Sequence, residues 1–209
     1  MKAFLQIGLP NMKRITLAFA AVLTVTSTQL AAQDFEEGLA AAQAGDFLTT
    51  LQEWEPLAAS GDPRAQFGLG FMYDNGQGLP QDDIEALKWY HLAAEQGHSD
   101  AQLNLGAMYR NGRGIPENFV LAAKWYRISA KQGNPLAQDN LAVLYYFGHG
   151  VPQDNLTAHM WSNLAFIGGL TEAGPRRDFI AEEMTQDDLA KAQDMAKKCM
   201  DSQFQSCGD

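Results

Sequence analysis

Few residue patterns in this 209-residue chain are typical of a catalytic or metal site. Its four histidines show neither the His-x3-His spacing nor the His–Glu pairing that metal sites use. No serine lies in a nucleophile elbow of the form Gly-x-Ser-x-Gly. We therefore predict no metal, no cofactor and no catalytic residue, and we expect all four histidines to face solvent.

The two cysteines, Cys199 and Cys207, are the other candidates for chemistry. Their C-x7-C spacing differs from the C-x-x-C motif of redox proteins, so a structural disulfide is favoured over a catalytic or redox pair. Such a disulfide requires an oxidising compartment. It would hold the C-terminal tail in place.

Glycine-rich segments of the form Gly-x-Gly-x-Pro occur three times, beginning at Gly76, Gly112 and Gly148. A phosphate-binding loop would need a preceding strand and a Gly-Lys-Ser/Thr sequence, and neither is indicated here. Glycine adopts left-handed backbone angles, and proline disfavours a helical residue before it. We interpret the three segments as turns that join helices.

These turns belong to a longer repeat, because the segment 65–97 recurs twice at a spacing of 36 residues. The recurring residues include Ala65/Ala101/Ala137, Leu69/Leu105/Leu141, Tyr73/Tyr109/Tyr145 and Trp89/Trp125/Trp161. A period of about 20 to 50 residues is the signature of a stacked repeat protein.

Each repeat reads as two antiparallel helices, A and B. Helix A begins near Ala65 and carries apolar residues at the spacing of one helix face. Helix B follows an N-cap residue, for which the candidates are Asp82, Asn118 and Asp154. We predict that the Trp89 face of helix B is buried and that small residues let neighbouring helices approach closely.

The pattern resembles the Sel1-like repeat, whose residues appear in the first unit as Leu69-Gly70, Tyr73, Gly76, Gly78, Pro80, Asp82, Ala86, Trp89-Tyr90, Ala93-Ala94 and Gln96-Gly97. The resemblance covers three units, 62–97, 98–133 and 134–169. It implies an all-α fold, an α/α solenoid (right-handed superhelix) of helix-turn-helix repeats with helical caps at both ends. Departures gather in the third unit, where Ala142 replaces the glycine of the Leu-Gly pair and Ser162 replaces the tyrosine after Trp161.

The segments on either side of the repeats are predicted to be caps. Residues 33–61 resemble a degenerate first unit without the glycine turn, with helices over 34–44 and from Asp46 to Ala59. Residues 170–209 form the C-terminal cap with the predicted disulfide. It has one helix over 171–184 and a second that Thr185 begins through a variant of the capping box.

Residues 1–32 have the order of a secretory signal, with the basic segment Met12-Lys13-Arg14, an apolar stretch and small residues before Gln33. Either Met1 or Met12 is the start, and residues 1–11 read as an upstream extension. A membrane anchor is the alternative. We predict a periplasmic chain, with secretion as the alternative, and no membrane insertion after signal cleavage.

The chain carries a formal net charge of −10, and removal of residues 1–32 takes away three basic residues and no acidic residue. Nucleic acids and anionic lipids are polyanions that require basic patches, so neither is expected as a partner. A basic protein or peptide is easier to accommodate. The alternative is that the acidity only maintains solubility.

Candidate partner contacts are positions that vary between units while their neighbours do not, on the A helices that line the concave groove of such solenoids. They are Phe71, Asp74, Asn104, Arg110, Asn140 and Tyr146. Aromatic side chains would supply buried area, and Asn and Arg would hold a peptide backbone or a carboxylate. Ordinary surface variation is the alternative.

The resemblance implies a non-catalytic adaptor or scaffold for a protein or peptide partner, such as another periplasmic or membrane-protein domain in an envelope signalling or maintenance complex. One alternative is an enzyme with weak β-lactamase or penicillin-binding activity, which is linked to cysteine-rich members of the family. The absence of cysteine from the three repeats weakens that alternative. Another is a secreted factor that binds a host protein.

Overall fold

The computed structural model describes residues 34–207, and every regular element in this range is helical. The predicted signal segment, residues 1–32, lies outside the described residues. The first helix, α1, covers residues 34–44. It is followed by α2 (Phe47–Ala59), α3 (Pro63–Asn75), α4 (Asp83–Glu95), α5 (Ser99–Asn111), α6 (Phe119–Ala130), α7 (Pro135–Phe147), α8 (Asn155–Ile167), α9 (Ala173–Glu182) and α10 (Gln186–Asp201). None of the described helices is long and apolar enough to cross a membrane.

The chain divides into two compact units, of which the first ends at Leu57. Within it, Trp54 stacks on the ring of Phe35 at 5.6 Å between centroids and donates its indole N–H to the Phe35 carbonyl at 3.2 Å. Asp46 caps α2 by accepting the backbone N–H of Thr49 at 3.2 Å. The described part of the first unit is therefore a helical hairpin around one tryptophan.

The second unit, from Ala58 onward, contains the stacked pairs. Helix α3 packs against α4, α5 against α6, and α7 against α8, and α4 and α6 also contact the A helix of the following pair. Helices α9 and α10 both pack against α8 and cover the last pair. The prediction of an all-α, α/α solenoid of helix pairs is confirmed.

Local sequence sets the ends of these helices, as predicted. Side chains that accept N–H groups of the first turn precede α4, α6 and α8, and they are Asp82, Asn118 and Asp154. Helices α3, α5 and α7 end at Gly76, Gly112 and Gly148, with φ of 65°, 67° and 70°. Glycine is favoured there because a side chain would be strained in this left-handed conformation.

In the first two units the tryptophan of helix B is less buried than the tyrosine that follows it, whereas Trp161 in the third unit is 1% exposed. Tyr90 and Tyr126 are fully buried, whereas Trp89 is only partly buried and Trp125 is 9% exposed. The tyrosine lies one residue further along helix B, a rotation of about 100° that points it between the helices of its own pair.

The glycine of each Leu-Gly pair makes room for this tyrosine. A Cβ atom added to Gly70 or Gly106 would lie 2.7 Å from a carbon of the facing tyrosine ring. The third unit changes both partners, with Ala142 at the glycine position and Ser162 at the tyrosine position, and both are buried. The two departures in this unit are therefore one coupled change.

In the second and third turns, the second glycine permits contact with the preceding repeat. A Cβ atom added to Gly114 would lie 2.7 Å from the carbonyl oxygen of Asp83, and one added to Gly150 would overlap the backbone of Phe119. The second and third turns thus pack against the start of the B helix in the preceding repeat. Only glycine leaves enough space for this approach.

Buried glutamines link consecutive pairs. Gln66, Gln102 and Gln138 donate their side-chain amides to the carbonyls of Ala58, Ala94 and Ala130 at 3.1, 3.0 and 3.2 Å. Gln66 and Gln102 also accept the side-chain amides of Gln96 and Gln132 at 2.7 and 2.6 Å. The Oε1 atom of Gln138 has no partner among the described residues, because residue 168, at the position of Gln96 and Gln132, is glycine.

The C-terminal cap contains the predicted disulfide between Cys199 and Cys207, and both cysteines are buried. Thr185 begins α10 by accepting the backbone N–H of Asp188 at 3.1 Å. Helix α9 is shorter than predicted at both ends, and Glu172 before it makes no side-chain capping bond.

The prediction that all four histidines face solvent is wrong for His159, which is 3% exposed. His98 is partly buried, stacks on Phe67 at 4.6 Å between centroids, and caps α5 by accepting a backbone N–H at 3.3 Å. Asp62 and Asn134 cap the other two A helices at the same position. An imidazole can accept this bond only when it is neutral.

Candidate partner-binding face

The residues predicted to contact a partner occupy equivalent positions on the A helices. Asp74, Arg110 and Tyr146 share one position, whereas Asn104 and Asn140 share another. We call these five residues and Phe71 the A-helix face. The structure connects the first position of one unit to the second position of the next unit, because Arg110 contacts Asn140, 30 residues later.

Arg110 and Asn140 are brought together. The Nη1 group of Arg110 donates to Oδ1 of Asn140 at 2.7 Å, and its Nε group donates to Asn111 at 3.1 Å. Arg110 has no carboxylate partner among the described residues. Arg110 is partly exposed.

A buried tyrosine lies within the electrostatic range of Arg110. The hydroxyl of Tyr126 has no hydrogen-bond partner in the described part of the chain. Burial raises the pKa of Tyr126 to about 12, although the charge of Arg110 acts to lower it. The hydroxyl therefore keeps its proton at neutral pH and remains a donor.

Asp74 is already engaged within the protein. Its carboxylate accepts the Tyr90 hydroxyl at 3.2 Å and pairs with the Arg113 guanidinium at 2.5 Å. Arg113 also pairs with Asp83. Burial and the charge of Asp74 raise the pKa of Tyr90 well above its usual value, while a hydrogen bond with Asn104 acts to lower it. Asp74 and Asn104 thus stabilise the junction of the first two pairs.

The remaining two residues have separate surroundings. The Tyr146 hydroxyl donates to the carboxylate of Glu183, just beyond α9, at 2.9 Å, and this bond raises the pKa of Tyr146. Phe71 is 42% exposed, and its ring centroid lies 6.4 Å from that of Phe67. The A-helix face therefore offers one open guanidinium, flanking amides and an exposed ring.

Sequence analysis missed three residues that hold this face, namely Tyr90, Arg113 and Glu183. Arg113 could have been found, because it lies 30 residues after its partner Asp83, the same interval that joins Arg110 to Asn140. A search for complementary residues at that interval would have indicated both contacts. Glu183 lies outside the repeat and carries no such signal.

A guanidinium, amides and an exposed ring can bind the groups of a peptide. Within residues 34–207, no group of three or more His, Cys, Asp or Glu side chains is placed to hold a metal ion. Fold and face together define an α/α repeat protein with a polar surface on its A helices.

The Sel1 repeat family model matches residues 63–98, 99–134 and 135–169, which together make up half of the chain. The chain belongs to the Sel1 repeat family. Proteins of this family generally mediate protein–protein interactions and are typically non-catalytic scaffolds.

Two solved structures resemble the chain. The crystal structure of a Sel1 repeat protein from Oxalobacter formigenes has a TM-score of 0.64 and 33% identity over 67% of this chain and 56% of that chain. A protective antigen present in uropathogenic Escherichia coli strains, which displays an SLR fold, has a TM-score of 0.59 and 23% identity over 88% of this chain and 49% of that chain. The second likeness concerns the fold alone, and the chain spans about half the length of both proteins. Comparison with curated proteins gave no significant match.

Proposed function

We propose that the chain is an adaptor without catalytic activity that binds a protein or peptide through the A-helix face. The observation that carries this proposal is Arg110, which is partly exposed, donates to Asn140 and has no carboxylate partner in the described chain. A cation left unpaired in so acidic a chain suits an anionic group of a partner. A carboxylate can accept two parallel hydrogen bonds from a guanidinium.

We further propose that the adaptor acts in the periplasm, on another periplasmic or membrane-protein domain in an envelope signalling or maintenance complex. The signal-like order of residues 1–32 supports export, and so does the disulfide, because disulfides persist in oxidising compartments. Secretion, with a host protein as partner, is the competing location. Cell fractionation distinguishes them, and recovery from the culture medium would contradict the periplasmic proposal.

Affinity capture from an envelope extract tests the A-helix face. The bait is the chain without residues 1–32, compared with Arg110→Ala and with Lys88→Ala, a control whose side chain is 59% exposed on helix α4. Circular dichroism must show unchanged helicity in both variants. A partner retained by the native chain and the Lys88 variant but lost by the Arg110 variant supports the proposal. Equal retention by the Arg110 variant, or no captured partner, would contradict it.

A further inference from the structure

Five aromatic rings form a continuous row near the third helix pair. Centroid distances are 4.8 Å for Phe119–His149, 5.7 Å for His149–Phe147, 4.9 Å for Phe147–Tyr146 and 5.8 Å for Tyr146–Phe179. Phe147 is 59% exposed and Phe179 is 52% exposed. We call these five residues the aromatic edge.

The repeat does not require an aromatic residue at the end of helix A. The position of Phe147 is occupied by Asn75 and Asn111 in the first two units, where the helices end at the same turn. An exposed phenylalanine adds little to the core and favours contact with another molecule. The substitution in the third unit therefore indicates a function other than folding.

A second difference between the units lies at the junction between the second and third pairs. The first junction is closed by the ion pair of Asp83 with Arg113. Phe119 and His149 occupy the equivalent positions at the second junction and pack as rings. Both the ion pair and the ring contact close their junctions, but only the ring contact extends the exposed aromatic surface.

An acidic group lies beside these rings. The carboxylate of Glu183 accepts the Tyr146 hydroxyl at 2.9 Å and the Asn155 side-chain amide at 3.5 Å. Glu183 is exposed, and no cation pairs with it among the described residues. It is the C-cap residue of α9 and lies near Phe179, because Tyr146 contacts both residues. Aromatic rings and carboxylates both attract a guanidinium.

We propose that the aromatic edge and Glu183 bind an arginine-containing segment of a partner protein. The inference rests on the proposal that the chain binds proteins, and it specifies the chemistry of one contact. Charge complementarity supports a basic occupant, because the chain carries a net charge of −10. A comparable contact already exists within the chain, where the guanidinium carbon of Arg177 lies 4.5 Å from the ring centroid of Phe166.

The test is fluorescence anisotropy with a labelled peptide of alternating arginine and glycine. A matched peptide carries citrulline, which has a similar shape but no charge, in place of arginine. The variants are Phe147→Asn, which introduces the residue of the other units, and Glu183→Gln. The control is Ile84→Asn, since Ile84 is 66% exposed on the first B helix.

We expect the arginine peptide to bind the native chain and the Ile84 variant equally. Affinity should fall about two- to fivefold in the Phe147 and Glu183 variants, as expected for loss of one cation–π or charge contact at an exposed site. The citrulline peptide should bind more weakly than the arginine peptide. Higher ionic strength should reduce the difference, because salt screens exposed charges.

Three binding results would overturn the inference: no binding of the arginine peptide, equal affinity for the citrulline peptide, or unchanged affinity of the Phe147 variant. Sedimentation that shows a dimer of the native chain, lost in that variant, would assign the edge to a second copy and also overturn it. The Arg110→Ala variant separates the two proposals. If it loses its captured partner but keeps peptide binding, the aromatic edge stands and the two contacts are independent.

Discussion

Replacement of Gln102 by leucine should lower the free energy of unfolding by about 1–3 kcal/mol, since each hydrogen bond contributes about 0.5–1.5 kcal/mol net. Gln102 is 2% exposed and makes two such bonds, donating to the Ala94 carbonyl and accepting from Gln132. Leucine has a similar volume, so no large cavity is expected. The Ala94 carbonyl keeps its bond from the Gly97 N–H, and Gln132 is exposed to water, so no further penalty is added.

Gln138→Leu is the matched comparison. Gln138 is 1% exposed and donates to the Ala130 carbonyl at 3.2 Å, but its Oε1 atom has no partner among the described residues. Leucine removes one hydrogen bond together with an unpaired buried oxygen, whose burial costs about 1–3 kcal/mol. The two effects oppose each other, and we expect a net change between a loss of about 0.5 kcal/mol and a gain of about 2.5 kcal/mol.

The assay is urea unfolding of the native chain and both variants, followed by circular dichroism and by tryptophan fluorescence. Coincident transitions with unchanged slopes allow the midpoints to be compared as stabilities. A Gln138 variant that loses as much stability as the Gln102 variant would refute the reasoning. It would show that the partner of the side-chain oxygen does not determine the contribution of these glutamines.

Burial lowers the pKa of His98, so the unfolded chain binds more protons than the native chain below about pH 6.5 and stability falls as the pH drops. His98→Asn, which provides a neutral cap, should flatten the thermal-melting profile between about pH 7 and 5, and an unchanged profile would contradict this role. Gly150→Ala should lower the free energy of unfolding in urea by about 1–3 kcal/mol more than Gly97→Ala, because both residues have positive φ but only Gly150 faces a neighbouring backbone. Equal losses of stability would contradict this packing role. Reduction of the Cys199–Cys207 disulfide, with a sequence separation of 8, should lower the free energy of unfolding by about 2–3 kcal/mol, and an unchanged urea midpoint with reductant would disprove this.

The period, the helix ends and the disulfide could be predicted from the sequence because they depend on local chemistry. Asp82 and Gly76 act through their own backbone neighbours, so their roles are visible in the printed order of residues. The choice between Trp89 and Tyr90 for the deepest position could not be predicted, because it depends on the space that Gly70 leaves on another helix. Burial is a property of the assembled pair.

The candidate face shows the same limit. Variation between units identified Arg110 and Asn140, which do meet across a junction. It could not show that Asp74 is occupied, since its partner Arg113 comes from the turn of the next unit. Comparison of the units at one repeat position shows which residues differ. Whether such a residue is free to bind a partner depends on residues at other positions.

The two proposed contacts have opposite charge preferences, and this constrains a shared partner. Arg110 favours an anionic group, while Glu183 and the rings beside it favour a cation. Tyr146, which donates to Glu183, occupies the helix position that Arg110 occupies one unit earlier. A uniformly acidic or uniformly basic segment would be attracted at one contact and disfavoured at the other. A partner that engages both contacts must therefore carry both charges in a fixed order, so the positions of Arg110 and Glu183 would set the direction in which that partner binds.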